Sequence, residues 1–222
     1  FLPTTVFGEL KKISIPALGK DAKKVLFASP NESGRYPGIV YMHGGAAREF
    51  GNSTFFEDKI LDYSSMGFIV LAPLRNTDWG CCNGDDAIKE GIHVARKAAK
   101  YLKSLPNVDG EKICLVGFSE GALISMWVMT EDNDYSTAII KSASTQCGMD
   151  RAGAANYCSK KLIKSGKLQK VTKKVVVTLG THDFTAHVKT AKKFAEKLSV
   201  KVNVLDGNHV SFLKPRKDIN LI

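Results

Sequence analysis

Short apolar runs that are rich in β-branched residues alternate along the chain with longer segments in which apolar residues recur at helical spacing. The short runs predict strands at KKISIP, KVLFASP, IVYMHGG, FIVLAPL, KICLVGF, STAIIKSAS, KVVVTLG and VKVNVLDG. The longer segments predict helices at FEDKILDYSSMG, GDDAIKEGIHVARKAAKYLKSL, SEGALISMWVM and HVKTAKKFAEKL. The longest of these carries an apolar face formed by Ile88, Ile92, Ala95, Ala99 and Leu102. Strands separated by helices indicate an α/β protein with a mostly parallel sheet that helices cover on both faces.

The chain has 222 residues, which is long enough for one sizeable core and short for two independent ones. It shows no internal repeat, low-complexity tract or linker, so we expect a single domain over residues 1–222. Residues 145–174 mix loop and helix patterns and form the candidate insertion, which would make at most a small lid. Whether Phe1 follows a removed signal peptide stays open at this stage.

Composition narrows the class of protein. Hydrophobic residues make up 44% and charged residues 24%, as in ordinary globular domains, and no apolar run approaches the roughly 18 residues of a membrane span. The net charge of +10 comes from scattered lysines, which suit either a solvated basic surface or the steering of an anionic substrate. No motif supports a nucleic-acid partner, and the oligomeric state is not indicated.

The five cysteines give an indication of the cellular compartment in which the protein works. Cys114 lies in the apolar run ICLV and is expected in the core. The other four, Cys81, Cys82, Cys147 and Cys158, lie in loop-like sequence, where disulfides in an oxidising compartment are expected but the pairing stays open. This pattern favours a secreted or periplasmic location over the cytoplasm. The CC pair is not a CxxC and has no histidine cluster beside it, so neither a metal site nor a cofactor is expected.

The motif GFSEGA places Ser119 between Gly117 and Gly121, after a predicted strand and before a predicted helix. A strand that turns sharply into a helix brings two backbones close together, which leaves no room for side chains at the glycine positions and turns the serine outward. In open α/β sheets, ligands bind at the carboxyl ends of the strands. Ser119 is therefore the candidate nucleophile.

A serine hydroxyl needs a base, and the base needs an orienting acid. Asp183 follows the strand KVVVTLG, and His209 follows the strand VKVNVLDG, so the order along the chain is serine, aspartate, histidine. Two alternatives are open: Asp183 as the N-cap of the next helix and His209 as an ordinary surface histidine. His182 and His187 flank Asp183 and compete for the role of base or line the pocket, whereas His93 lies on the long helix.

The motif HGGAA follows the strand IVYM and begins at His43. A loop at this place can present backbone N–H groups to a developing oxyanion, and we expect the donors at Gly45, or at Ala46, and at Glu120. A plain glycine turn is the alternative.

Residues near other strand ends are candidates for a substrate pocket. Ala46 and Trp79 are the first choices, and Arg48, Phe50 and Arg75 are further ones, although loop aromatics often only anchor a loop.

The segments YMHGG, GFSEGA, GTHDFT and GNHVSF together resemble the α/β-hydrolase superfamily, most closely its dienelactone hydrolase-like branch, with prolyl oligopeptidase-type peptidases as relatives. The resemblance covers about residues 25–213 and implies the α/β-hydrolase fold, with Ser119 as nucleophile, His209 as base and Asp183 as acid. It departs from the branch in having serine where dienelactone hydrolases use cysteine, and in having Ala46 at the third glycine of HGGG.

The activity that this resemblance implies is hydrolysis of small carboxylic esters through an acyl-enzyme. A serine peptidase of small substrates is one alternative. A non-catalytic member of the fold, which binds a ligand or a partner at the same cleft, is the other.

Overall fold

The computed structural model describes residues 8–18, 24–45, 54–75, 84–131, 134–144 and 156–209. Its strands are β1 (Glu9–Ile13), β2 (Lys24–Ser29), β3 (Tyr36–Met42), β4 (Ile69–Leu74), β5 (Val108–Phe118), β6 (Thr137–Lys141), β7 (Lys174–His182) and β8 (Val202–Asn208). Its helices are α1 (Thr54–Ser65), α2 (Gly84–Ser104), α3 (Glu120–Met129), α4 (Ser159–Lys164) and α5 (Thr185–Leu198). Short 3₁₀ turns occupy Pro16–Leu18 and Lys167–Lys170.

The eight strands form one sheet in the order β1-β2-β4-β3-β5-β6-β7-β8. β1 pairs with β2, and β2 with β4, in antiparallel orientation, whereas the pairs from β4 through β3 to β8 are parallel. The mostly parallel sheet predicted from the sequence is confirmed. Because β3 to β8 all run in the same direction, their carboxyl ends lie along one edge of the sheet.

Two buried clusters pack against the sheet. The predicted apolar face of α2 is buried in the larger one, which holds Ile88, Ile92, Ala95, Ala99 and Leu102. All of α3 is buried, so this helix is enclosed by the sheet on one side and by neighbouring elements on the other. A helix enclosed in this way gives a rigid support to the residue that precedes it.

Two strand boundaries differ from the sequence prediction. β5 begins at Val108, before the predicted KICLVGF, because Val108 is buried and pairs with Tyr36 of β3. β6 ends at Lys141, before the predicted end of STAIIKSAS, because Ser142 takes a φ of +50°, which a strand cannot hold.

The described part of the candidate insertion contains α4 and is joined to the body of the fold. The Asp85 carboxylate accepts hydrogen bonds from the backbone N–H groups of Asn156 (3.0 Å) and Tyr157 (2.9 Å), and the Trp127 indole donates to the Tyr157 carbonyl (2.8 Å).

Cys158 is disulfide-bonded to a partner outside the described residues, and Cys114 is free and buried as predicted. Among the described helices, none has the length and apolar character needed to cross a bilayer.

Candidate active site

Ser119 lies at the sharp turn between β5 and α3, where it is the N-cap of the helix. Its backbone has φ +55° and ψ −115°, a conformation that residues with a side chain rarely adopt. The Ser119 N–H donates to the Lys141 carbonyl at the end of β6 (2.9 Å), and the Ser119 carbonyl accepts from the Ser144 N–H (3.0 Å). The neighbouring strand end therefore holds the turn in this conformation.

The two glycines of the motif are required by close backbone contacts. A Cβ on Gly117 would lie 2.5 Å from the Gly121 carbonyl oxygen, and a Cβ on Gly121 would lie 2.6 Å from the carbonyl oxygen of His43 and overlap that of Met42. The start of α3 thus packs directly on the end of β3. This is the physical reason for the glycine on each side of Ser119.

Asp183 and His209 meet because the register of β7 and β8 pairs the residues before them, His182 and Asn208. Since a carboxylate can only accept, the His209 Nδ1–H donates to Asp183 Oδ1 (2.9 Å). This leaves the His209 Nε2 lone pair 3.2 Å from Ser119 Oγ, so that the serine hydroxyl can donate to it. The three residues form one chain of hydrogen bonds that can move a proton away from the serine.

The Asp183 side chain is fully buried, and its pKa lies well below the ordinary value. Desolvation raises this pKa, but the interactions of the carboxylate with His187 and His209 lower it by more. The group is therefore a carboxylate at neutral pH. The alternative role as helix N-cap is wrong, because Phe184 is the N-cap of α5, although Asp183 Oδ1 accepts from the Phe184 N–H (2.7 Å).

Of the other candidate histidines, only His187 contacts this chain of hydrogen bonds among the described residues. Its Nδ1 lies 3.2 Å from Nδ1 of His209 and 3.5 Å from Oδ1 of Asp183. His182 is exposed at the end of β7, and His93 is exposed on α2. The Asp183, His187 and His209 side chains also offer three atoms of metal-ligand type within 4.8 Å of one another.

The HGG loop passes directly beside the serine. A Cβ on Gly44 would lie 3.1 Å from the Ser119 Cβ, and Gly45 follows at the beginning of the loop. Glu120 is the first residue of α3, where backbone N–H groups have no acceptor within the helix. Glu120 thus follows Ser119 directly in the chain, and Gly45 follows Gly44, which contacts Ser119.

A buried ion pair joins the HGG loop to the start of α3, and it was not predicted from the sequence. Arg75 Nη1 donates to Glu120 Oε1 (2.7 Å), and Arg75 Nη2 donates to the His43 carbonyl (2.6 Å). The pair leaves 6% and 7% of the two side chains exposed. Arg75 therefore links the end of β4 to the HGG loop and to α3, and the suggestion that it lines a pocket is wrong. The feature of the sequence that could have indicated this ion pair is Glu120, a charged residue at the start of a predicted helix that is otherwise mostly apolar.

His43 is held as a neutral ring beneath the loop. Its Nδ1–H donates to the Gly44 carbonyl (2.7 Å), and its Nε2 accepts from the Arg75 backbone N–H (3.1 Å). Burial, reinforced by the charge of Arg75, lowers the pKa of His43 to about 3, although the hydrogen bond to Gly44 opposes the shift. His43 is therefore a neutral support of the loop at physiological pH.

The ring of His209 also has aromatic neighbours. Phe118 and Phe184 lie 4.9 and 5.0 Å from it, measured between ring centroids, and Phe184 is 61% exposed. An exposed aromatic side chain beside the histidine forms an apolar rim at the site. Of the pocket candidates, Ala46, Trp79, Arg48 and Phe50 lie outside the described residues.

Comparisons with known proteins agree with this architecture. A family model described as Chlorophyllase matches residues 8–162. An uncharacterized peptidase of Bacillus subtilis, YtmA, is 32% identical over 108 residues, which are 49% of this chain and 41% of that protein. The chain spans less than half the length of the curated relatives that it matches.

Two solved structures share the fold. An acylaminoacyl peptidase from Pyrococcus horikoshii has a TM-score of 0.67 at 14% identity, over 91% of this chain and 38% of the peptidase. A protein described as a dienelactone hydrolase from Klebsiella pneumoniae has a TM-score of 0.66 at 15% identity, over 92% of this chain and 90% of its own. At such identities the likeness shows the fold alone, and it confirms the predicted α/β-hydrolase fold.

Proposed function

The chain belongs to the Chlorophyllase family of α/β hydrolases, and from this premise we propose that it is a serine hydrolase that cleaves small carboxylic esters. The observation that carries the proposal is the chain of hydrogen bonds from Ser119 Oγ through His209 to Asp183. Distances of 3.2 and 2.9 Å between the paired atoms are within the range for proton transfer between a nucleophile, its base and an orienting acid.

In the first half of the reaction, His209 Nε2 takes the proton of the Ser119 hydroxyl while Oγ attacks the ester carbonyl. The Asp183 carboxylate holds the Nδ1–H tautomer of His209 and stabilises the imidazolium that forms. The backbone N–H groups of Gly45 and Glu120 donate to the oxyanion. The tetrahedral intermediate collapses when the imidazolium gives its proton to the leaving alkoxide, and an acyl-serine remains.

In the second half, water replaces the alcohol. His209 takes a proton from the water, which attacks the acyl carbonyl, and the proton then returns to Ser119 Oγ as the acid leaves. Removal of Ser119 Oγ therefore stops both halves. No cofactor is required by this sequence of steps.

The rim of the site favours esters with an apolar group. Phe184 is exposed directly beside His209, and a ring in this position would contact an acyl or alkyl chain rather than a charged group. Peptidase activity is the second candidate, because both YtmA and the structurally similar Pyrococcus protein are described as peptidases. These matches cover less than half of the two proteins, so the substrates of the larger proteins remain a weaker guide than the site itself.

The Ser119→Ala variant tests the proposal. We expect its kcat/KM for short p-nitrophenyl esters to fall about a thousandfold or more, because the nucleophile is lost while almost no buried area changes. Circular dichroism would check that the variant is folded. His209→Ala should lose activity to a similar extent, whereas His182→Ala, which alters an exposed histidine at the same edge, is the matched control.

Retention of most of the activity by Ser119→Ala would overturn the assignment. Aminoacyl p-nitroanilides, assayed beside the esters, distinguish the two candidate activities. An amidase rate that equals or exceeds the ester rate would favour the peptidase. Failure of the wild-type protein to react with a fluorophosphonate would instead favour a non-catalytic binding role.

A further inference from the structure

Three atoms that can bind a metal, one each from Asp183, His187 and His209, lie close together on the Nδ1 side of the His209 ring. Nδ1 of His209 lies 2.9 Å from Oδ1 of Asp183, Nδ1 of His187 lies 3.2 Å from Nδ1 of His209, and Nδ1 of His187 lies 3.5 Å from the same carboxylate oxygen. Proton transfer from a serine needs only one histidine nitrogen on the carboxylate. The second nitrogen, from His187, is not used by the proposed reaction.

The separations match those of ligands around a small cation. Zinc lies about 2.0–2.2 Å from imidazole nitrogens and carboxylate oxygens, so neighbouring ligand atoms in a tetrahedral site are about 3.3 Å apart. The three observed separations lie on both sides of this value. Two imidazole nitrogens and one carboxylate oxygen suit a divalent transition cation, whereas Ca²⁺ and Mg²⁺ prefer oxygen ligands throughout.

Regular structure fixes the three positions. Asp183 directly follows β7, and His187 lies four residues later in the first turn of α5, where its Nδ1 is 3.5 Å from Oδ1 of Asp183. His209 directly follows β8, in register with β7. The side chains of His187 and His209 are 14% and 17% exposed, which allows an ion to enter from solvent.

We propose that Asp183, His187 and His209 form an inhibitory site for a divalent transition cation of the Zn²⁺ type. Binding of the cation uses the lone pair of Nδ1 on each imidazole ring. In His209 the ring stays neutral, and its single proton moves through solvent exchange from Nδ1 to Nε2. His209 then donates from Nε2 towards Ser119 Oγ and cannot accept the serine proton.

The site makes a specific kinetic prediction, which rests on the proposed function. The cation contacts the Nδ1 edge of the His209 ring, and Ser119 contacts the opposite Nε2 edge. An ester can therefore still bind while the base is blocked. Occupation of the site lowers kcat and leaves KM nearly unchanged, whereas a cation bound in the substrate pocket would raise KM.

The experiment titrates Zn²⁺ into ester hydrolysis by the full chain, without thiol reductant because Cys158 is disulfide-bonded. Each variant is compared with its own rate in the absence of metal. We expect reversible inhibition of the wild-type protein that EDTA relieves, and equal inhibition of His182→Ala, whose side chain is exposed outside the cluster. His187→Ala should need at least about tenfold more Zn²⁺ for the same inhibition, since it lacks one ligand.

Calorimetric titration with Zn²⁺ tests the site without any assay of activity. We expect His187→Ala and Asp183→Asn each to weaken binding about tenfold or more relative to the wild-type protein and to His182→Ala. Binding that is absent from the wild-type protein, or equal in His187→Ala, overturns the proposal. If the chain hydrolyses no ester but binds Zn²⁺ with this pattern, the site stands and the proposed function fails.

Discussion

At the scale of single residues, Ser119 combines a partly buried reactive group with a backbone conformation that disfavours any side chain. Its φ of +55° and ψ of −115° are maintained by hydrogen bonds to Lys141 and Ser144. Such conformations cost about 1–3 kcal/mol in a residue other than glycine. The backbone conformation of Ser119 therefore lowers the free energy of unfolding of the protein.

A comparison of Ser119→Gly with Ser119→Ala measures this strain. Both variants lack the hydroxyl, but only glycine adopts the turn without a steric penalty. We expect Ser119→Gly to be more stable by about 1 kcal/mol, after the larger entropy of glycine in the unfolded chain is subtracted. Urea unfolding at neutral pH provides the measurement, and an alanine variant of equal or greater stability would contradict the argument.

At the scale of elements, the ion pair of Arg75 and Glu120 connects the end of β4 to the start of α3. The same guanidinium binds the His43 carbonyl after β3. Both charges are almost completely buried, so each depends on the other for its solvation. The pair therefore holds together the two backbone segments from which the proposed oxyanion donors come.

We expect Arg75→Met to destabilise the fold by about 3–5 kcal/mol, because it leaves the Glu120 carboxylate buried without the guanidinium. The double variant Arg75→Met with Glu120→Gln should recover a clear part of this loss, since no uncompensated charge remains. Free energies of unfolding for the wild-type protein, both single variants and the double variant complete the cycle. Additive losses would show that the two side chains do not interact.

At the scale of the whole molecule, stability depends on pH because folding lowers the pKa of some buried groups, which then bind a proton less readily in the folded chain than in the unfolded chain. Folding lowers the pKa of His43 from 6.5 to about 3. Between these values the unfolded chain binds a proton on this residue that the folded chain does not bind, so stability falls as the pH falls. Asp183 acts in the same direction at lower pH, because its carboxylate is stabilised only in the folded chain.

His43→Gln isolates the histidine contribution. We expect the free energy of unfolding of the wild-type protein to fall more steeply than that of the variant between pH 6 and pH 4, by about 1.4 kcal/mol per pH unit. Urea unfolding at several pH values yields both slopes. The difference between the slopes is informative even if the variant is less stable throughout, and identical slopes would show that His43 titrates alike in both states.

The sequence by itself determined the described strands, the helices α1, α2, α3 and α5, and the candidate residues at the strand ends, whereas α4 lies in a segment for which it indicated only mixed loop and helix. Short β-branched apolar runs located the strands, because strands of a parallel sheet are buried on both faces, and helical spacing of apolar residues located helices such as α2, because one face of the helix is buried. The same pattern located Ser119, Asp183 and His209 at strand ends, and the structure brings these three together. Their meeting depends on strand order and register, which the right-handed preference of crossover connections between parallel strands constrains.

The tertiary structure alone decided which charged and polar side chains meet beyond Ser119, His209 and Asp183. Nothing in the local sequence distinguishes His187 from His182, because both flank Asp183, yet one contacts His209 and the other is exposed. Arg75 and Glu120 lie 45 positions apart and become partners only because β4 ends and α3 begins beside the same loop. Such pairings carry no periodic signal in the sequence, since a single buried charge is stabilised by the position of its partner in space.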